Sequence, residues 1–161
     1  MKTLAQIEPR TPISSLPFTV TSPGAYYVTT NLAGRAANHG IVIQADDVTL
    51  DLNGFVLSGT PEALKGILVA GTRRNIVIRN GTISDWRAGV DAETASYGRF
   101  ESLRILSNTG TGLAAGANSV ITSCTAVSNE AHGIQADRDS RINDCTARGN
   151  FFGASWRAFF G

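Results

Sequence analysis

Long apolar runs and an excess of charge of either sign are both absent from this chain of 161 residues. No run approaches the roughly 20 apolar residues that a transmembrane helix needs. The opening residues 1–8 lack the apolar core of a signal peptide, so we expect neither feature. The formal net charge is +1, which implies neither nucleic acid nor a membrane surface as a partner. The compartment stays open between the cytoplasm and export as a mature domain.

Helical periodicity and metal-ligating residues are also scarce. No segment shows a convincing helical period over 11 or more residues. The two cysteines, Cys124 and Cys145, are too few ligands for a metal site. We therefore expect no metal and no cofactor. The aliphatic content is ample for one core, and we expect a single domain over residues 1–161.

A glycine followed by an aliphatic residue recurs along the chain. The gaps between the five glycines are 26, 23, 23 and 21 residues, and Gly153 follows 20 residues later. The pairs are Gly40-Ile41, Gly66-Ile67, Gly89-Val90, Gly112-Leu113 and Gly133-Ile134. Internal repeats of this length indicate a solenoid.

Three further columns share this period. One predicts an interior row of Val56, Ile83, Ile105, Ala126 and Ala147. Another contains Gly54, Gly81, Leu103, Cys124 and Cys145, so we expect the two thiols to be buried, reduced and side by side. A disulfide between adjacent coils is within reach, but directly stacked side chains make its dihedral awkward. The last column is Asn108, Asn129 and Asn150, which predicts stacked amides inside a turn.

Short β-branched runs punctuated by Gly, Asn, Asp and Ser lie within each repeat, as at 41–43, 48–52 and 55–57. A unit of about 21 residues is too short for a propeller blade of roughly 40. The leucine-rich frame is also missing. The pattern predicts an all-β, single-stranded parallel β-helix of about five to six coils over residues 40–150. Residues 1–39 would form an N-terminal strand cap, and the extra residues near 58–62, 73–74 and 92–98 would bulge.

The segments Val48–Gly59 and Asn75–Ile83 resemble the right-handed parallel β-helix proteins of the pectin-lyase-like superfamily. The stretch Leu16–Val28 is similar to the first segment of many bacterial members. The resemblance covers roughly residues 14–155 and implies the fold. It leaves the activity open, because the superfamily includes lyases, hydrolases, epimerases, phage spikes and non-enzymes.

Sugar-cleaving β-helices need carboxylates on one outer face, and two are available in one column. Glu93 and Asp137 each lie four residues after a repeat glycine, two coils apart with Gly116 between them. Stacking predicts a separation of about 10 Å, which is wide for an inverting pair. We expect Arg104 to be the arginine that could reach over Glu93. These three residues are the candidate catalytic set, and a lyase would add calcium.

Other polar residues are weaker candidates. Asp46, Asp47 and Asp91 are candidate ligand-binding residues, although Asp46-Asp47 also occupies an ordinary turn before a strand. His39 and His132 each precede a repeat glycine, which favours a structural role. Because the repeat lacks a convergent catalytic set, we favour a non-enzymatic structural, adhesive or carbohydrate-binding module. A polysaccharide lyase or glycoside hydrolase is the alternative.

Aromatic residues crowd the C-terminal segment 151–161. Five of the nine Phe and Trp residues lie there, namely Phe151, Phe152, Trp156, Phe159 and Phe160. They form either an intramolecular cap over the last coil or an interface between subunits. One last coil cannot cover five rings, which favours the interface. We expect a homo-oligomer, specifically a trimer because trimers are frequent among short β-helical spikes, with an interface of Phe152, Trp156, Phe159 and Phe160.

Deleting residues 154–161 should therefore convert the protein from a trimer into a monomer or an aggregate, because the deletion removes three of the five rings. Light scattering coupled to size-exclusion chromatography measures this directly. A monodisperse monomer for the intact chain at micromolar concentration would contradict the predicted association.

Overall fold

The computed structural model describes residues 9–156, and β-strands are the regular structure of that part of the chain. No helix long and apolar enough to cross a membrane occurs among these residues. The strands are β1 (Thr11–Ile13), β2 (Phe18–Val20), β3 (Gly24–Val28), β4 (Leu32–Ala33), β5 (Ile41–Ile43), β6 (Val48–Asp51), β7 (Val56–Ser58), β8 (Lys65–Val69), β9 (Ile76–Ser84), β10 (Ala88–Ala92), β11 (Arg99–Leu106), β12 (Leu113–Ala115), β13 (Val120–Thr122), β14 (Thr125–Val127), β15 (His132–Ala136), β16 (Arg141–Asn143), β17 (Thr146–Arg148) and β18 (Phe152–Trp156).

These strands form two parallel sheets that wind around one axis. The seven-stranded sheet has the order β18-β15-β12-β10-β8-β5-β2, so each coil adds one strand to it. The eleven-stranded sheet contains the other strands, and every pairing in both sheets is parallel. The predicted parallel β-solenoid is confirmed. Strands β2, β3 and β4 of the predicted cap pair with β5, β6 and β7, so this segment extends the solenoid by a further coil.

The predicted interior row is correct at its three middle positions and differs at its ends. Ile83 pairs with Ile105, and Ile105 with Ala126, and all three are fully buried. The residue stacked beneath Ile83 is Leu57, which is fully buried, whereas Val56 is only half-buried. Ala147, at the other end of the row, is also half-buried.

The shift from Val56 to Leu57 has its cause in a turn. Asn53 and Gly54 both have positive φ, 53° and 81°, and Phe55 N donates to Leu52 O at 2.9 Å. This turn adds two residues that the next coil lacks. Asp51 pairs with Arg79 and Leu57 with Ile83, so six residue steps in one coil match four in the next. Gly81 consequently lies over Leu52 rather than over Gly54, which also corrects the predicted glycine column.

The repeat glycines lie at a corner where adjacent coils approach each other closely. A Cβ atom at Gly112 would lie 2.6 Å from the carbonyl oxygen of Gly133 and 2.9 Å from Nδ2 of Asn129. At Gly133 it would lie 2.4 Å from Nδ2 of Asn150. All three separations are shorter than van der Waals contact, so the close approach of the next coil and of the amide side chains requires glycine. The four glycines Gly66, Gly89, Gly112 and Gly133 are called the glycine row below.

The predicted asparagine column packs against this row and forms the amide ladder, Asn108, Asn129 and Asn150. Nδ2 of Asn108 donates to Oδ1 of Asn129 at 2.8 Å, and Nδ2 of Asn129 donates to Oδ1 of Asn150 at 2.8 Å. The same Asn129 oxygen accepts the backbone N–H of Asn108 at 3.2 Å. Asn108 and Asn129 are buried, so these bonds satisfy groups that water does not reach.

Trp86 takes the position of the ladder in the preceding coil. Its backbone N–H donates to Oδ1 of Asn108 at 3.1 Å, and its indole Nε1 donates to Leu57 O at 3.0 Å. The ring is fully buried, and Cβ atoms at Gly34 and Gly40 would lie 2.3 and 2.9 Å from its Cη2 atom. The earlier glycines therefore accommodate an indole where the later ones accommodate amides.

One corner of each coil turns through a residue in the left-handed region. These residues form a column with φ between 56° and 58°: Asp47, Asn75, Tyr97, Asn118 and Asp139. Asn and Asp tolerate this conformation, whereas other L-residues lose about 1–2 kcal/mol in it. Tyr97 is therefore the member of the column with an unfavourable backbone conformation.

The turns at this corner differ in length. Residues 70–75 and 93–98 form six-residue turns, whereas 116–119 and 137–140 are four residues long. The two long turns stack on each other, because Thr94 Oγ1 donates to Gly71 O and Ser96 N donates to Arg73 O, both at 2.8 Å. They form a ridge, as the extra residues predict. In the third predicted bulge only Pro61 and Glu62 are exposed, because Ala63 is buried in the core.

Cys124 and Cys145 lie one coil apart and are both free thiols. The Sγ atom of Cys145 accepts the backbone N–H of Cys124 at 3.4 Å. Cys124 is buried, and this burial is the main cause that raises the pKa of its thiol to about 12. Cys145 is only half-buried, so the expectation of two buried thiols is correct for one of them.

The Asn129→Ala substitution should lower the free energy of unfolding by at least about 2 kcal/mol, because it leaves two buried donors of Asn108 without an acceptor. Urea denaturation followed by circular dichroism measures the loss. Asn143→Ala, on the exposed outer face of β16, is the matched control and should change the stability by less than about 0.5 kcal/mol. Equal effects of the two substitutions would contradict a stabilising role for the amide ladder.

Candidate functional site

The outer face of the seven-stranded sheet carries a groove. It has a volume of about 410 Å³, and its polar lining consists of Lys65, Arg87, Asp91, Glu93, Thr109 and Thr111. Strands β8 and β10 position Lys65 and Asp91, while the turns around β10 and before β12 supply the other four side chains. The groove therefore offers cations, carboxylates and hydroxyl groups along three successive coils.

Within the groove, Lys65 and Asp91 form an ion pair between adjacent coils, from Nζ to Oδ2. The second oxygen of the Asp91 carboxylate accepts the backbone N–H of Glu93 at 3.4 Å. Asp91 thus holds both the lysine and the start of the long turn. The ion pair balances the charge of Lys65 at this end of the groove, and Arg87 and Glu93 remain as charged groups of opposite sign.

A small notch lies beside the groove and contains both predicted catalytic carboxylates. Glu93, Ala115, Gln135 and Asp137 line it, and its volume of about 30 Å³ has room for about one water molecule. Ala92 is stacked on Ala115 and Ala115 on Ala136, so Glu93 and Asp137 follow equivalent positions two coils apart. Two strand spacings correspond to about 10 Å between the backbones.

The glycine between these carboxylates has a structural cause. A Cβ atom at Gly116 would lie 1.8 Å from the carbonyl oxygen of Ala95, which belongs to the long turn of the preceding coil. Gly116 is therefore required by the ridge and is no evidence of a ligand. Gln135, at the base of the notch, is buried and was not singled out by the sequence because its column contains unlike residues.

The structure does not bring Arg104 to these carboxylates. Arg104 is exposed on β11, where it pairs with Thr82 and Thr125 in the eleven-stranded sheet, and it lines neither the groove nor the notch. Glu93 and Asp137 flank the other sheet. The expectation that Arg104 reaches over Glu93 therefore has no support in this geometry, because the two residues belong to different faces.

The carboxylates of Asp46 and Asp47 accept hydrogen bonds from the corresponding turn of the next coil. Oδ1 of Asp46 accepts the backbone N–H of Arg74 at 3.2 Å, and Oδ1 of Asp47 accepts Nδ2 of Asn75 at 2.7 Å. Both bonds lead to the next coil. Asp46 and Asp47 do not line the groove that contains Asp91, so the three predicted ligand-binding residues are not brought together.

His39 lies next to the groove in the coil before Lys65. Burial, first, and then the Lys65 ammonium group lower the pKa of the imidazole below its ordinary value of 6.5, and the Asp91 carboxylate opposes this shift. Nδ1 of His39 is buried without a hydrogen-bond partner among residues 9–156. The surroundings of His39 therefore favour the neutral ring.

The aromatic C-terminal segment is only partly described. Phe151 and Phe152 are 76% and 50% exposed, and their rings meet edge to face at 4.7 Å. Phe152 also stacks on His132 at a centroid distance of 4.7 Å. Trp156 ends β18, and Phe159 and Phe160 lie outside the described residues.

Metal ligands do not converge in the described part of the chain, where no three His, Cys, Asp or Glu side chains are placed to share an ion. One comparison with known proteins gives a match: a family described as a right-handed β-helix region matches residues 24–157. No curated protein and no solved structure matches the chain.

Replacing His39 with Gln should reduce the loss of stability on acidification. The folded state disfavours the imidazolium ion, so the contribution of His39 is complete above about pH 6.5 and is lost as the pH falls towards the lowered pKa. The difference in unfolding free energy between about pH 7.5 and pH 5.5 should be smaller in His39→Gln than in the wild type. The same pH dependence in both proteins would contradict the shifted pKa.

Proposed function

Because this chain belongs to the right-handed β-helix family, whose model matches residues 24–157, we propose that it is a non-enzymatic carbohydrate-binding module. The proposed binding surface is the groove on the outer face of the seven-stranded sheet. A long polymer of sugar rings can follow stacked coils, since each coil repeats the same outward positions about 4.8 Å further along the axis.

The groove is the observation that carries this proposal. Its hydroxyl, carboxylate and cationic groups match the hydroxyl-rich edges of a sugar, which both donate and accept hydrogen bonds. The surface is rigid because its strands are paired on both sides, from β8 through β10 to β12. Rigid presentation lowers the entropic cost of binding an extended ligand.

Binding is favoured over cleavage by the geometry of the charged groups. Cleavage needs an acid together with a base or nucleophile near one bond. Arg104 lies on the other sheet, and Lys65 is held in an ion pair with Asp91. Both arrangements favour a binding role for the groove.

A second candidate function rests on the notch. Glu93 and Asp137 share a space with room for about one water molecule, and an inverting glycoside hydrolase needs a water between two carboxyl groups roughly 6.5–9.5 Å apart. A glycoside hydrolase is therefore the alternative supported by a specific observation. A lyase would need calcium and a base, for which Arg104 would have to come from another face.

We further propose self-association, as a trimer, through the C-terminal aromatic segment. The exposure of Phe151 and Phe152 supports it, because two large exposed rings in contact with each other form an apolar patch. The proposed interface comprises Phe152 with Trp156, Phe159 and Phe160. Phe152 lies on β18, which β15 separates from the strands of the groove, so association there leaves the groove accessible.

In affinity electrophoresis through a series of gels that each contain one polysaccharide, at least one polysaccharide should retard the wild-type protein. Lys65→Met and Glu93→Gln should each weaken binding about tenfold, because each removes a charged partner of sugar hydroxyls. Arg104→Ala is the matched control, since this exposed residue lies on the other sheet, and it should bind like the wild type.

A parallel reducing-sugar and unsaturated-uronate assay, with and without calcium, separates the two candidate functions. Retardation without product supports the binding module. Product that disappears in both Glu93→Gln and Asp137→Asn would instead establish the hydrolase. Absence of retardation with every polysaccharide, or equal weakening by Arg104→Ala, would rule out the groove as the binding surface.

A further inference from the structure

Tyr97 has a backbone conformation that its side chain does not favour. It occupies the left-handed corner column with φ of 56°, where the other four coils have Asn or Asp. Those residues enter this region readily, whereas an aromatic residue is an outlier there. Outliers of this kind persist where the surrounding structure compensates or where function requires them.

The exposed Tyr97 ring does little to offset the backbone strain at this position. The backbone of Tyr97 is held, because its N–H donates to Ala117 O at 3.0 Å. The side chain, however, is 62% exposed, and within residues 9–156 it has neither a hydrogen-bond partner nor an aromatic neighbour. Asn at this position would satisfy the backbone equally well, as Asn118 does in the next coil, where its N–H donates to Arg138 O at 3.0 Å.

The position of Tyr97 relates it to the groove and the notch. It belongs to the long turn 93–98, whose first residue, Glu93, lines both of them. This turn stacks on the long turn of the preceding coil, while the turn of the next coil is two residues shorter. Tyr97 itself lines neither the groove nor the notch, and its ring is carried by the last long turn of the ridge, four residues after Glu93.

We propose that Tyr97 is a stacking residue for a pyranose ring, and that the polymer in the groove is a neutral polysaccharide. This inference rests on the proposed function. An exposed aromatic face packs against the C–H face of a pyranose, while its hydroxyl group meets the polar edge. Lys65 and Arg87 in the groove are balanced by Asp91 and Glu93, and Asp137 adds a further carboxylate in the notch. A chain of uronic acids therefore meets no net positive charge there, whereas neutral sugars can donate hydroxyl hydrogen bonds to the carboxylates.

The test compares Tyr97→Asn and Tyr97→Phe with the wild type, by affinity electrophoresis in a neutral glucan, a neutral mannan and polygalacturonate, and by thermal denaturation. Tyr97→Asn should unfold at the same or a higher temperature than the wild type, because the strain is relieved. It should bind the retained neutral polymer at least tenfold more weakly. Tyr97→Phe keeps the ring and should bind within about threefold of the wild type.

The outcomes distinguish this inference from the proposed function. A wild type that is retarded by no polysaccharide overturns both. A wild type that is retarded, with Tyr97→Asn binding equally well, overturns the stacking role alone. A lower unfolding temperature of Tyr97→Asn shows that the ring serves the fold, and stronger retardation by polygalacturonate overturns the neutral ligand class.

Discussion

Close packing of the glycine row against the amide ladder is the constraint on which the rest of this solenoid depends. At this corner, the backbone of each glycine passes close to a neighbouring side chain, an asparagine amide at Gly89, Gly112 and Gly133 and the Trp86 indole at Gly66, so that a single methyl group would collide. The asparagines then provide both hydrogen-bond donors and acceptors from coil to coil, in a place that water does not reach. Polar groups buried in this way must be fully paired, so the ladder also fixes the coils in one register.

This register determines what the outer face presents. Because each strand of the seven-stranded sheet begins at the glycine corner, the residue before each glycine and the second residue after it face outward in every coil. Lys65 and Asp91 meet as an ion pair across two coils for this reason. The groove is the space on this face between Glu93, at the start of the long turn 93–98, and the turns that carry Arg87 and Thr109 to Thr111.

Much of the fold could be predicted from the sequence, because the repeat glycines, and the asparagines of the last three coils, mark backbone requirements that recur from coil to coil. The prediction was wrong at Val56, since the additional turn at Asn53-Gly54 shifts the next strand and spacing alone does not reveal how many residues a turn absorbs. Trp86 was missed for a related reason: it occupies the asparagine column, but its side chain differs from the others, and only the glycines around it could have indicated the space for a ring.

The candidate site was less predictable, because its residues come from unlike positions. The common column of Glu93 and Asp137 could be predicted from their spacing. The ion pair of Asp91 with Lys65 could not, because it joins side chains from different columns of adjacent coils. The sequence prediction put Arg104 near Glu93, because residue spacing does not show to which of the two sheets a strand belongs. Tyr97 occupies a column that has Asn or Asp in the other coils, and this difference was the sequence feature that could have drawn attention to it.

Hydrogen–deuterium exchange of the intact protein, with and without a saturating polysaccharide fragment, tests most directly whether the seven-stranded face is the binding surface. The account predicts slower exchange in the turns at 93–98 and 107–112, beside the groove, and unchanged exchange at 120–127 in the eleven-stranded sheet. Protection confined to residues 120–127, or equal exchange throughout at saturation, would contradict it.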